Sequence, residues 1–269
     1  MFNARIKTHF CPISKHLAAW VGAILATASV SLTPAASAEP NLNWEVFQGA
    51  KAWYDPGFSF LDTAAFNGAI ANQGYNNLSN VFISQGGGAH LILDRIILGG
   101  SGMGLNGFRS ANASGDVLGV SGGYGLFNLG YVVYQDTNFN LYPVLGIGSG
   151  HISVSGSSSL NKVFGLSGSE DVTRIDSSQV VIDIGFGADY LIDFNADPGN
   201  ASGLLVGLKL GYLFVPSPTQ WEANRRLVGG SNLPNLSNQG LYFNLILGAG
   251  TQRTGFSERQ KEVLQELGF

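Results

Sequence analysis

Beyond residue 40 the chain alternates apolar and polar side chains one by one, in runs of about ten residues separated by polar links, the period expected of strands with one oily face. The clearest run covers residues 179–194. Val180, Ile182, Ile184, Phe186, Ala188, Tyr190, Ile192 and Phe194 share one face, and Val181, Asp183, Gly185, Gly187, Asp189, Leu191 and Asp193 share the other. Residues 203–215 and 240–250 repeat the pattern, with glycines recurring on the second face. Four more strands are expected at 80–93, 95–108, 117–134 and 139–154, and an eighth at 43–54. In the run 117–134 the alternation slips near Leu126-Phe127-Asn128, which predicts a bulge there.

The links alternate as well. Residue 94 and residues 135–138 and 195–202 form shorter connections, whereas 55–79, 109–116, 155–178 and 216–239 form longer ones. Each longer link outlasts its neighbours, and the contrast is weakest at 109–116, which is no longer than 195–202. Short turns at one end and long loops at the other are the order of a bacterial transmembrane barrel with both termini on the turn side. A one-residue link at Asp94 must borrow a neighbour, because a hairpin needs two loop residues. The fold class predicted is all-β: an antiparallel up-and-down transmembrane barrel of about eight strands. It carries a short helix over 59–74, begun by Ser59 and Asp62 and stopped by Gly74, and a second short helix near the C-terminus.

Three segments follow. Residues 1–38 read as a signal peptide: Arg5, Lys7 and Lys15, then an apolar run over 17–32, then the small-residue site Ala36-Ser37-Ala38. Residues 39–250 form the barrel. Residues 251–269 form a periplasmic tail whose Val263, Leu264 and Leu267 make the oily side of a helix, and whose last residue is Phe269. The lone cysteine, Cys11, precedes the apolar run, so cleavage after Ala38 leaves no thiol for a disulfide or a metal. It also leaves 11 Lys+Arg against 18 Asp+Glu, a formal charge of −7 that argues against nucleic acid. Only 12% of the chain is charged, roughly half the share of soluble globular proteins, which suits an exterior in hydrocarbon. A soluble secreted barrel around an apolar ligand would reverse the two faces, and this chain has too few polar side chains to coat such an exterior.

The leader, the eight alternating runs and the order of link lengths resemble the small outer-membrane barrel proteins of the OmpA-like, OmpX-like and OmpW-like kind, over roughly residues 43–250. The resemblance is one of pattern, with no signature motif to transfer. It implies an address in the outer membrane of a Gram-negative bacterium and a range of roles from structural anchor and host interaction to narrow channel.

Candidate chemistry is sparse. Glu45, Lys51, Asp183, Asp189, Asp193 and Lys209 fall on the inward face, where acid–base pairs across the lumen are expected and a polar track for ions or small solutes is the alternative. His151 and Ser153 share a strand face, with Glu170 in the following loop. A Ser/His/acid set can activate a nucleophile, and the pair is similar to the His-x-Ser of outer-membrane lipid A deacylases. The glycine runs 86–88 and 99–104 lack the strand–loop–helix setting and following Lys of a phosphate loop. No cluster has metal-ligand spacing, and no cofactor is implied. Trp221, Glu222, Arg225 and Arg226 occupy one exposed link where arginines suit lipopolysaccharide phosphates. The function predicted is a non-enzymatic outer-membrane barrel with a structural or surface-interaction role. Its partners are outer-membrane lipid and lipopolysaccharide, with long loops offered to an extracellular ligand. A narrow passive channel and a lipid-modifying hydrolase stand as alternatives.

Overall fold

A computed structural model describes residues 47–107, 109–136, 138–166, 171–194, 200–216, 220–224, 226–230, 233 and 235–253. The leader, Glu45, Glu170, Arg225 and the tail beyond Arg253 lie outside the described residues. In chain order the strands are β1 (Phe47–Tyr54), β2 (Gly57–Leu61), β3 (Val81–Leu93), β4 (Ile96–Asn106), β5 (Ser110–Ala111), β6 (Val117–Tyr131), β7 (Tyr134–Gln135), β8 (Phe139–Gly156), β9 (Arg174–Asp193), β10 (Asn200–Phe214), β11 (Glu222–Ala223), β12 (Arg226–Leu227) and β13 (Gly240–Arg253). Two short helices, Ala64–Ala71 and Leu160–Phe164, sit in links.

Eight staves make the wall. β1 and β2 count as one, since both pair with β3 on one side and β13 on the other. Pro56, with no N–H to give to a ladder, interrupts them. The seam stays tied there, because the Asp55 amide donates to Gly86 and the Pro56 carbonyl accepts from Leu245. The others are β3, β4, β6, β8, β9, β10 and β13, each antiparallel to its neighbours. Following register partners once round, from Gly250 through Lys51, His90, Gly99, Asn128, Gly146, Asp183 and Leu213, returns to β13 at Gly240, ten residues from the start. A stagger of that size on eight staves tilts them by about 40° to the axis, given a rise of about 3.3 Å per residue and a spacing of about 4.8 Å.

The exterior is oily. Ile184, Ile147, Phe127, Leu145, Leu210 and Leu241 stand among the exposed large side chains, Ile184 at 63% of its surface. Lys51, Asp183, Asp189 and Lys209 are buried inside. This is the transmembrane barrel architecture of the small outer-membrane proteins that the sequence resembles, and it contradicts a soluble barrel with a polar coat.

The links refine the expected pattern. The links 94–95, 132–138 and 194–199 join staves at one end, and 62–80, 107–116, 157–173 and 215–239 join them at the other, so every link of the second set is longer than every link of the first. The hairpin at Asp94 does take a second residue, Arg95, and Asp94 adopts a left-handed backbone (φ 55°). Two expectations need correction. The first helix starts at Ala64, because Ser59 lies inside β2 with its side chain buried. Asp62 accepts from the Ala64 amide instead. Gly74 does end that turn with a left-handed backbone. The bulge near Leu126 is absent, as β6 pairs without a shift on both sides. Leu126 simply points inward, into an apolar part of the lumen.

Candidate functional site

The lumen is filled in layers, and inward parity decides what fills each. In the middle lies a polar belt. Lys51 of the first stave reaches across to Asp189 on β9 (Nζ–Oδ1 2.6 Å), and Asn140 of β8 donates to the same oxygen and to Gln252 of β13 (3.1 and 2.7 Å). Lys209 of β10 pairs with Asp183 of β9 (3.0 Å), whose carboxylate also accepts from the Tyr242 hydroxyl of β13 at 2.8 Å. The Lys209 ammonium stands 5.3 Å from the centre of the Tyr242 ring. A second group joins Asn128 to Ser101 (2.9 Å) and to the His90 ring, which packs edge-on against Trp53. Ser84 donates to Asn244 across two staves (3.1 Å).

These contacts leave little free space. A side chain at Gly185 or Gly211 would strike the Tyr242 hydroxyl (2.5 and 2.6 Å from an added Cβ), so glycine at these inward positions makes room for that ring. Desolvated charges are tolerable only when paired and further hydrogen-bonded, and both ion pairs meet that condition.

Above the belt, toward the long links, the filling turns apolar and does not stop at the barrel's end. Phe82, Leu105, Val120, Leu126, Ile152 and Val181 of the wall form one cluster with Phe66 and Ile70 of the first long link. Leu160 and Phe164 of the third and Trp221 and Leu236 of the fourth complete it. Phe66 and Phe164, each on a link helix, meet with ring centres 6.1 Å apart. Backbone bridges tie the links in pairs, Tyr75 with Asn112 and Leu166 with Gly230. The fourth link also plugs downward. Asn238 donates to the carbonyls of Gly123 and His151 (3.2 and 3.3 Å), while Gln179 on β9 clasps the Asn238 amide and the Leu236 carbonyl. Gly150 makes room for this insertion, since an added Cβ would lie 2.4 Å from Asn238 Nδ2.

No protein-family model matches the chain, and no curated protein matches it. Among solved structures it is similar to Ail, the attachment invasion locus protein of Yersinia pestis, at 10% identity over 77% of this chain and 98% of that one, with a TM-score of 0.37. It is also similar to the outer membrane protein OprG from Pseudomonas aeruginosa, at 14% identity over 77% and 95% with a TM-score of 0.34. The outer membrane protease OmpT from Escherichia coli gives 11% over 77% and 96%, with a TM-score of 0.32.

Of the residues singled out by sequence, Lys51, Asp183, Asp189 and Lys209 come together in the belt. Asp193 falls on the same face but at the turn-side rim. There it is exposed and accepts from the Ser202 amide, so it belongs to a turn and not to the lumen. Trp221 is corrected more sharply: it is 3% exposed and anchors the cap, and only its neighbours Glu222 and Arg226 face solvent. His151 and Ser153 lie on the outward wall near the long-link end, the His151 ring leaning over Gly123 of β6. The acid beside Ser153 is its register partner Asp176, which accepts from Nε and Nη2 of Arg174. Ser153 is buried, 4% exposed, with Asp176 across the ladder from it.

Sequence reasoning missed His90, Asn128, Asn140, Tyr242 and Gln252. The first four sit at inward parity in the alternating runs, so reading every polar residue there, and not only the charged ones, would have found them, whereas Gln252 falls in the expected tail because β13 runs on to Arg253. Asn238 carried no such signal, because it lies in a link.

Proposed function

We propose that this protein is a non-conducting, non-enzymatic barrel of a Gram-negative outer membrane that presents a single folded outer surface for interaction. The observation that carries this reading is the continuity of the apolar core from the lumen into three of the four long links, above a belt where Lys51 pairs with Asp189 and Lys209 with Asp183. A channel needs a wetted path, and side chains fill an eight-stranded lumen unless something opens it. The cap has the converse value. Links that share a core hold one shape, and a preformed surface loses less entropy on meeting a partner than free loops do. On that surface the hairpin β11–β12 projects Arg226 and Leu227, the latter 69% exposed, beside lipopolysaccharide phosphates and extracellular ligands. Single-channel recording of purified full-length protein in planar bilayers tests the reading. It should give no discrete conductance steps at any voltage the bilayer tolerates, and reproducible unitary steps would end it. Fractionation should place heat-modifiable protein in the outer membrane.

A further inference from the structure

Most of the exterior wall carries long apolar side chains, but on the turn-side half of the first stave, β3 and β13 it is recessed. Ala249, Ala52 and Ala89 are successive register partners there, Ala50 lies beside them, and Leu98 and Phe127 stand at the edge. The result is a groove of about 820 Å³ with an almost wholly apolar lining. At the corresponding outward positions of β10 and the upper part of β13 stand Leu204, Leu208, Leu245 and Leu247, all exposed. The recess therefore follows the short side chains at these outward positions.

The chain itself supplies an occupant of matching chemistry. Sixteen residues, 254–269, continue from Arg253, and Thr251 in the groove lining lies only two residues earlier. At helical spacing Phe256, Val263, Leu264 and Leu267 share one side, while Glu258, Lys261, Glu262 and Glu266 lie on the other. So many charges keep this segment out of the hydrocarbon interior. An interfacial helix sinks its apolar side by about 5–10 Å. With a rise of about 3.3 Å per residue on tilted staves, Ala249 stands roughly 10 Å up the wall from Arg253, so the depths agree.

We propose that residues 254–269 fold back as an interfacial helix and seat Val263, Leu264 and Leu267 in this groove, so that the chain covers the recess in its own wall. The inference rests on the wall facing lipid but not on the lumen being closed, so a conducting barrel would leave it standing. The test uses the full chain in lipid vesicles with Cys11→Ser, carrying Ala52→Cys and Leu264→Cys. A short bis-maleimide should link the two within one chain, whereas Ile184→Cys with Leu264→Cys, three staves away on β9, should not link. A fluorophore on Ala52→Cys should be quenched several-fold more by brominated lipid once residues 254–269 are deleted. Heat-modifiability of each variant shows that its barrel has formed. Equal quenching with and without the tail would give the groove to lipid, and dimer formation through Ala52→Cys alone would give it to a second copy. Either result, or failure of the Ala52–Leu264 link, overturns the proposal.

Discussion

Two levels of the lumen solve the same problem by opposite chemistry. Near the long links the barrel is filled by Leu105, Val120, Leu126, Ile152 and their neighbours, which need only shape. In the belt it is filled by Lys51, Lys209, Asp183 and Asp189, which need specific partners at hydrogen-bond distance. An apolar filling fails gradually, in proportion to the cavity left behind. A buried pair fails abruptly, because deleting one partner strands the other charge in a low-dielectric interior. The upper level should therefore tolerate exchange among apolar side chains of similar volume, while the belt should resist any single change.

The largest effect expected is at Asp183. Asp183→Ala strands both Lys209 and the Tyr242 hydroxyl and should cost about 3–5 kcal/mol. Denaturant titration of the refolded barrel in detergent checks this. The double change Asp183→Leu with Lys209→Met should recover most of the loss, and failure to recover would mean that the pair does more than satisfy itself. Next comes Leu236→Ala in the cap, expected to cost roughly 2–4 kcal/mol and to speed proteolysis of the long links while the wall stays intact. Equal loss from wall and cap would show that the two levels unfold as one. The smallest effect lies at the outer surface. The Ser158 hydroxyl, then the Asn112 amide, hold the Asp116 carboxyl below its usual pKa. That contribution is present above the ordinary carboxylate range and vanishes as pH falls through the depressed value. Ser158→Ala should raise the Asp116 midpoint in an NMR titration, and an unmoved midpoint would refute the assignment.

The wall was legible in the sequence because its cause is local: parity along a strand decides which side meets lipid. The runs 179–194 and 203–215 placed Asp183, Asp189 and Lys209 on the face where the structure buries them. Strand ends were less legible. β9 begins at Arg174, five residues before the expected run, because its polar outer end, Asp176 and Ser178, still pairs with β8. The links were the least legible part. Whether Trp221 faces water or the cap depends on Phe164 and Leu236, which approach it from elsewhere in the chain. Composition pointed to an exposed loop, and burial of a large aromatic surface outweighed it.

The shared core of the long links has a consequence for anyone displaying a foreign peptide on this protein. A graft at Asn67, Leu160 or Leu236 would wedge apart segments that brace one another, and the disturbance would reach the wall beneath. The tip of the β11–β12 hairpin at Asn224, already in a left-handed conformation, projects from that core and is the place where an insertion leaves the rest of the mouth undisturbed.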